Sequence, residues 1–169
     1  TGDTIIIDPV LNYNASESRV SSESVQKLTA YISANRLQPL AVLETHIHAD
    51  HITGYPKLKE QYPELPVVVS KHITKVQKTF SDFFNLGAFA CDGSQFNMLA
   101  ADDESLKFGS LKVEVIETPG HTPACCSYLI QDKVFTGDTL FMPDSGTGRC
   151  DFPGGSAVEL FNSVAGKLY

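Results

Sequence analysis

The chain has 169 residues, 42% of them hydrophobic and 20% charged, which are the proportions of a soluble globular protein able to bury a core of its own. A net charge of −7 argues against nucleic acid or an anionic membrane surface as partner. No apolar run approaches the roughly 18 residues that a membrane span requires.

The opening stretch "TGDTIIIDPV" has no basic region followed by an apolar one, so no signal peptide is visible. Residues 4–8 ("TIIID") and 40–44 ("LAVLE") read as short buried strands. Between them, "SSESVQKLTAYISANR" places Val25, Leu28 and Ile32 at helical spacing behind a serine cap. "PVVVS" is a further strand and "KHITKVQKTF" a helix, with His72 as a surface or packing residue. "KEQYPE" and "ADDES" read as solvated charge runs. "LKVEVIE" alternates Leu111, Val113 and Val115 with Lys112 and Glu114, the pattern of a half-buried strand, and "CCSYLI" with "KVFTG" suggests a hairpin turning at Gln131 and Asp132. After a glycine- and proline-rich loop, Ser156 and Glu159 form a capping box for a last helix with Leu160, Phe161, Val164 and Leu168 on its core face. Together these elements predict an α/β fold, a mixed sheet covered by helices, in one domain over residues 1–169. Both ends are abrupt, which suggests a piece of a longer chain.

Potential ligands are concentrated. Three of the five histidines, His46, His48 and His51, fall within six positions, with Asp50 between the last two. His46 and His48, two apart after an apolar run, point the same way in an extended segment. His121 follows the "LKVEVIE" strand, and Asp138 follows "KVF" behind Gly137, which allows a sharp turn. Alone, His121 is a hydrogen-bonding residue and Asp138 a helix cap. Gathered in loops after strands with "HIHADH", they are the donors of a first-row metal site.

"THIHADH", "TPGHT" and "GDTLF", in this order, resemble the metallo-β-lactamase superfamily over nearly the whole chain. The resemblance implies an αββα sandwich with the metal between its two sheets. "GHTPAC", in place of the Gly-His pair usual in glyoxalase II, together with "GTGRCDF" and "KHITKVQKTFSDFFNLG", is similar to persulfide dioxygenases, and more narrowly to their bacterial lactamase-homologue branch. That resemblance implies one iron(II) per chain, with zinc possible as purified, held by the catalytic residues His46, His121 and Asp138. His48, Asp50 and His51 would then be surrounding groups or the remnant of a second metal site. Its substrates would be glutathione persulfide and O2, with no nucleic acid or membrane as partner and a homodimer as a possible assembly. The alternative is a dinuclear thioester hydrolase of the glyoxalase II type acting on S-D-lactoylglutathione, and a third reading is a non-catalytic metal-binding domain.

Arg149 lies in the glycine-rich loop after Asp138, where Gly146 and Gly148 let the backbone pass near the pocket. It is the candidate cation for an anionic substrate in an acidic protein, against the simpler reading of an ion pair with Asp144 or Asp151. Cys91, Cys125, Cys126 and Cys150 form no CxxC pair and suggest a reducing compartment, cytoplasmic or the mitochondrial matrix in a eukaryote. Cys125 and Cys126 are expected to be buried thiols and Cys150 the more exposed and reactive one.

Overall fold

The computed structural model describes residues 2–47 and 52–169. Strand β1 (Asp3–Ile7) leads into a hairpin of β2 (Asn12–Asn14) and β3 (Arg19–Ser21), then helix α1 (Glu23–Ala34) and strand β4 (Gln38–Leu43). Helix α2 (Tyr55–Gln61), strand β5 (Val67–Ser70), helix α3 (Ile73–Phe83) and strand β6 (Met98–Ala100) follow. Strands β7 (Ser105–Phe108), β8 (Leu111–Glu117), β9 (Cys126–Ile130) and β10 (Lys133–Phe135) come next. A 3-10 turn at Gly137–Thr139, helix α4 (Ala157–Ser163) and a π turn at Val164–Leu168 complete the order.

Two four-stranded sheets result. The first, ordered β1-β4-β5-β6, is parallel throughout, and the second, ordered β10-β9-β8-β7, is antiparallel. The expected mixed sheet is thus two sheets of different kind, as the αββα resemblance implies. Alternation along the strands explains the layering. Val42, Val67 and Val69 point to a core shared with Val25 and Ile32 of α1, Leu58 of α2, and Ile73 and Val76 of α3. Ala41, Leu43 and Val68 point the other way, into a core shared with Val113 and Val115 of β8 and with Cys126 and Tyr128 of β9. Parallel strands covered on both faces need continuous apolar runs, which is why "VVV" carries no polar break.

One buried polar link crosses between the sheets: the Tyr128 hydroxyl donates to the Glu44 carbonyl at 2.9 Å. The Cys126 N–H adds a bond to the Thr45 carbonyl at 2.9 Å, so the start of β9 is tied to the loop leaving β4.

Several local expectations differ from what is observed. Ser22 precedes α1 but makes no side-chain cap; the cap comes from β2, where Asn12 Oδ1 accepts from the Ser24 N–H at 2.8 Å. Ser156 does cap α4, accepting from Glu159 N at 3.2 Å. On α4 the buried residues are Leu160 and Ser163, while Phe161 is exposed. The helix is rolled so that Leu160 packs on Gly120, whose φ of 144° and missing Cβ permit the approach. The Ser163 hydroxyl then donates to the Pro119 carbonyl at 2.7 Å. Of the "KEQYPE" run, read as solvated, Lys59–Gln61 forms the last turn of α2. Among the described residues no helix is long and apolar enough to cross a membrane.

Tyr128→Phe removes one buried hydroxyl and leaves the Glu44 carbonyl without that donor. We expect it to cost about 1–3 kcal/mol, read as a lower urea midpoint at unchanged m-value.

Candidate metal centre

Three chain segments leave strands at one edge of the sandwich and bring His46, His121 and Asp138 together. One ligand atom from each lies within 4.8 Å of the others, and this is the group of potential metal donors found among the described residues. Both histidines are buried, whereas the Asp138 side chain is 37% exposed, so the cluster opens to solvent on the carboxylate side. The imidazole rings stand edge to face, with centroids 4.9 Å apart.

The ring nitrogens facing away from the cluster settle the tautomers. Thr45 Oγ1 donates its single proton to Asp8 Oδ2 at 2.8 Å, so towards His46 Nδ1, 3.1 Å away, it can only accept. His121 Nδ1 lies 2.6 Å from the Arg149 carbonyl oxygen, which is also only an acceptor. Each ring therefore carries a proton on Nδ1 and turns Nε2 inward. The two Nε2 atoms lie 3.8 and 3.5 Å from Asp138 Oδ2. These gaps are too long for hydrogen bonds. Ligand bonds of about 2.0–2.2 Å around one ion put neighbouring donor atoms roughly 3–3.6 Å apart. Two ring nitrogens and a carboxylate oxygen converging on a common point suit a divalent metal, and the residues present fit one.

The scaffold behind the ligands is specific. Asp8 ends β1 in the left-handed region, at φ 46°, which is uncommon for a non-glycine residue. From there its other oxygen accepts the Thr45 N–H at 2.7 Å. Nothing in the sequence pattern singled out Asp8; the one available sign was an aspartate followed by proline at a strand end. The turn bearing Asp138 is held from below, where the Thr139 and Thr118 hydroxyls lie 3.0 Å apart and Thr118 also meets Ser127 at 3.0 Å. Gly137, at φ 50°, rests on Thr45, where any Cβ would collide with the hydroxyl. Gly148 does the same against Asp138 and His121, and its N–H donates to the Asp138 carbonyl at 3.0 Å. Gly146, by contrast, has open space around it, so only one of the two glycines expected to serve close approach does so.

Arg149 stands at the rim. Its Nε and Nη2 donate to Asp151 Oδ1 and Oδ2 at 2.6 and 3.1 Å, and its guanidinium carbon lies 4.5 Å above the Phe152 ring. Phe152 in turn meets His121 edge to face at 5.4 Å. The ion pair with Asp151 is therefore present, and the cation sits beside the cavity that His121 lines. His72 is more engaged than expected, with Nε2 3.1 Å from Glu117 Oε1 across to the end of β8. His48, Asp50 and His51 lie outside the described residues.

All four cysteines are free thiols. Burial pushes Cys125 up from 9.0 to about 11 and Cys126 from 9.0 to about 12. Burial and the neighbouring Asp151 carboxylate also raise Cys150, so it is not the activated thiol expected from its loop.

A family model described as the metallo-beta-lactamase superfamily matches residues 1–169. The chain is 53% identical over 161 residues to "Glyoxylase B2" of Dictyostelium discoideum, covering 94% of this chain and 55% of that protein. It is 31% identical over 169 residues to the mitochondrial persulfide dioxygenase ETHE1 of Homo sapiens, covering 99% and 54%. The crystal structure of ETHE1 from Myxococcus xanthus superposes with a TM-score of 0.74 at 32% identity, covering 99% of this chain and 60% of that one. The chain thus spans about half the length of these curated relatives.

Two outcomes follow from the geometry. Thr45→Val deletes the acceptor behind His46 and should weaken metal binding about 10–100-fold, measured by competition with a chelator. The raised thiols make the folded state hold protons that the unfolded chain releases near 9. Their stabilisation is therefore whole below that value and lost as pH rises towards the folded values. Urea midpoints should fall between about pH 9 and about pH 11, and less so in a Cys125→Ala, Cys126→Ala double variant.

Proposed function

The chain belongs to the metallo-beta-lactamase superfamily, and from that premise we propose that it carries the centre of a mononuclear iron(II) persulfide dioxygenase. The observation that carries this reading is the donor set itself, two neutral imidazoles and one carboxylate on one side of a common point, with the carboxylate side open. Two histidines and one carboxylate on one face suit non-haem iron(II) and leave positions for two further reactants. When bound, iron supplies the electron transfer that dioxygen needs to react with a sulfur nucleophile.

The chain's own residues do the rest. The Thr45 hydroxyl and the Arg149 carbonyl hold the two rings through Nδ1, so neither imidazole can swing away from the centre. The exposed face of Asp138 gives a small anion a way in. Arg149 puts a positive charge at the entrance of a protein whose net charge of −7 repels anions at long range. Its Nε–Nη2 edge is engaged by Asp151, so a substrate carboxylate would use Nη1 or displace that aspartate. The overall balance is RSSH + O2 + H2O giving RSH + sulfite + 2 H⁺, in which the two sulfurs together lose four electrons and dioxygen gains four. The likeness to the ETHE1 proteins supports this reading.

The Dictyostelium relative named Glyoxylase B2 favours a second one, in which the site hydrolyses a thioester such as S-D-lactoylglutathione. That chemistry uses a metal-activated water and no dioxygen.

Oxygen-electrode and sulfite assays on iron-loaded protein separate the two. We expect one O2 consumed and one sulfite released per glutathione persulfide, with slow or no cleavage of lactoylglutathione. Rapid anaerobic thioester cleavage by zinc-loaded protein, without oxygen uptake on persulfide, would replace the first reading by the second. In the same assay Arg149→Ala should raise KM several-fold with metal content and Tm unchanged. A fall in Tm at constant KM would make the arginine only a clasp for its loop.

A further inference from the structure

Beside the triad lies a cavity of about 280 Å³, and His121 forms part of its wall. Its other walls include Ile47, Val76, Phe80, Phe84 and Phe152. Among the described residues, no lysine, arginine, aspartate or glutamate lines it. The polar groups that border it are already engaged: His121 Nδ1 with the Arg149 carbonyl, and the Thr122 hydroxyl with Cys125 Sγ at 3.2 Å and the Ala124 N–H at 3.3 Å. A second cavity of about 240 Å³ shares Ile47, Val76 and Phe80 and extends the apolar surface to Phe89 and Phe96. Along the α3 end of this trough Phe84, Leu86 and Phe89 remain exposed to water.

We propose that this trough seats an unbranched alkyl arm carried on the substrate sulfur, so that alkyl persulfides are a substrate class of the centre. The inference rests on the persulfide reading above and narrows it. A glutathionyl arm would bring two carboxylates, an ammonium and two amides against mostly apolar walls whose amide side chains, Gln77 and Gln95, already pair with each other, and each group desolvated without a hydrogen bond is costly. An alkyl arm brings nothing to satisfy and removes apolar surface from water on both sides. His121 belongs both to the donor triad and to the cavity wall, so the trough adjoins the triad and can receive the substituent of a sulfur held there. Arg149 stacks on the wall residue Phe152 and is not among the residues that line the trough.

The test uses the zinc-loaded full chain, which binds thiolates without oxidising them, and calorimetry with ethane-, butane- and hexanethiol. The Kd should fall by up to about fourfold per added methylene, with a binding heat capacity that grows more negative along the series. Phe84→Asp, at an exposed position, should flatten that slope, and Phe84→Ser serves as the milder variant if the aspartate does not fold. On iron-loaded protein, kcat/KM for sulfite release from the matching alkyl persulfides should rise along the same series. Equal Kd across the thiols, or a slope unchanged in the Phe84 variants, would overturn the proposal. The two readings fail separately. A steep thiol series without oxygen uptake on any persulfide keeps the trough and removes the dioxygenase. Oxidation of glutathione persulfide with a flat alkyl series does the reverse.

Discussion

Two imidazole nitrogens and a carboxylate oxygen that turn lone pairs towards one another repel, and the architecture around them is what holds them there. A histidine released from its backing would rotate away and relax. Thr45, itself held by Asp8, prevents this for His46, and the Arg149 carbonyl prevents it for His121. The threonine hydroxyls of Thr118 and Thr139 fix the turn that carries the carboxylate. The destabilisation built into the cluster is the driving force for binding a cation, because a metal relieves repulsion that the fold enforces.

This backing depends on the way the sheets meet. The loop that presents His46 leaves a strand buried on both faces, with Ala41 and Leu43 against the second sheet and Val42 against the helices. Its backbone is then tied to β9 by the Cys126 N–H and the Tyr128 hydroxyl. The parallel sheet therefore contributes one ligand and the antiparallel sheet the other two, and any sliding between the layers would pull the three donors apart.

Much of this was legible in the sequence. His46, His121 and Asp138 each follow an apolar strand by a few residues, so strand reading alone places them at a sheet edge, and motif resemblance supplies the sandwich. What was missed depends on contacts between residues distant in sequence. Asp8 acts on Thr45, 37 positions later, and Asn12 caps α1 in place of the local Ser22. Phe161 stands three residues before Val164, at helical spacing, yet faces water, because the fit of Leu160 onto Gly120 sets the roll of the helix. Cys150 sits in a loop that looks open by composition, but burial and Asp151 work against its ionisation. For Arg149, sequence alone posed a choice between ion pair and substrate cation, and the geometry shows the pair while placing the same side chain at the cavity's edge.

His121 leans on residue 149 through that residue's carbonyl, not its guanidinium. Every amino acid has a carbonyl, so the identity of the side chain there can drift without detuning the imidazole. The loop thus keeps the imidazole's support in main-chain atoms and leaves the side chain at this position, here engaged with Asp151 and Phe152, free to be replaced while the histidine stays held.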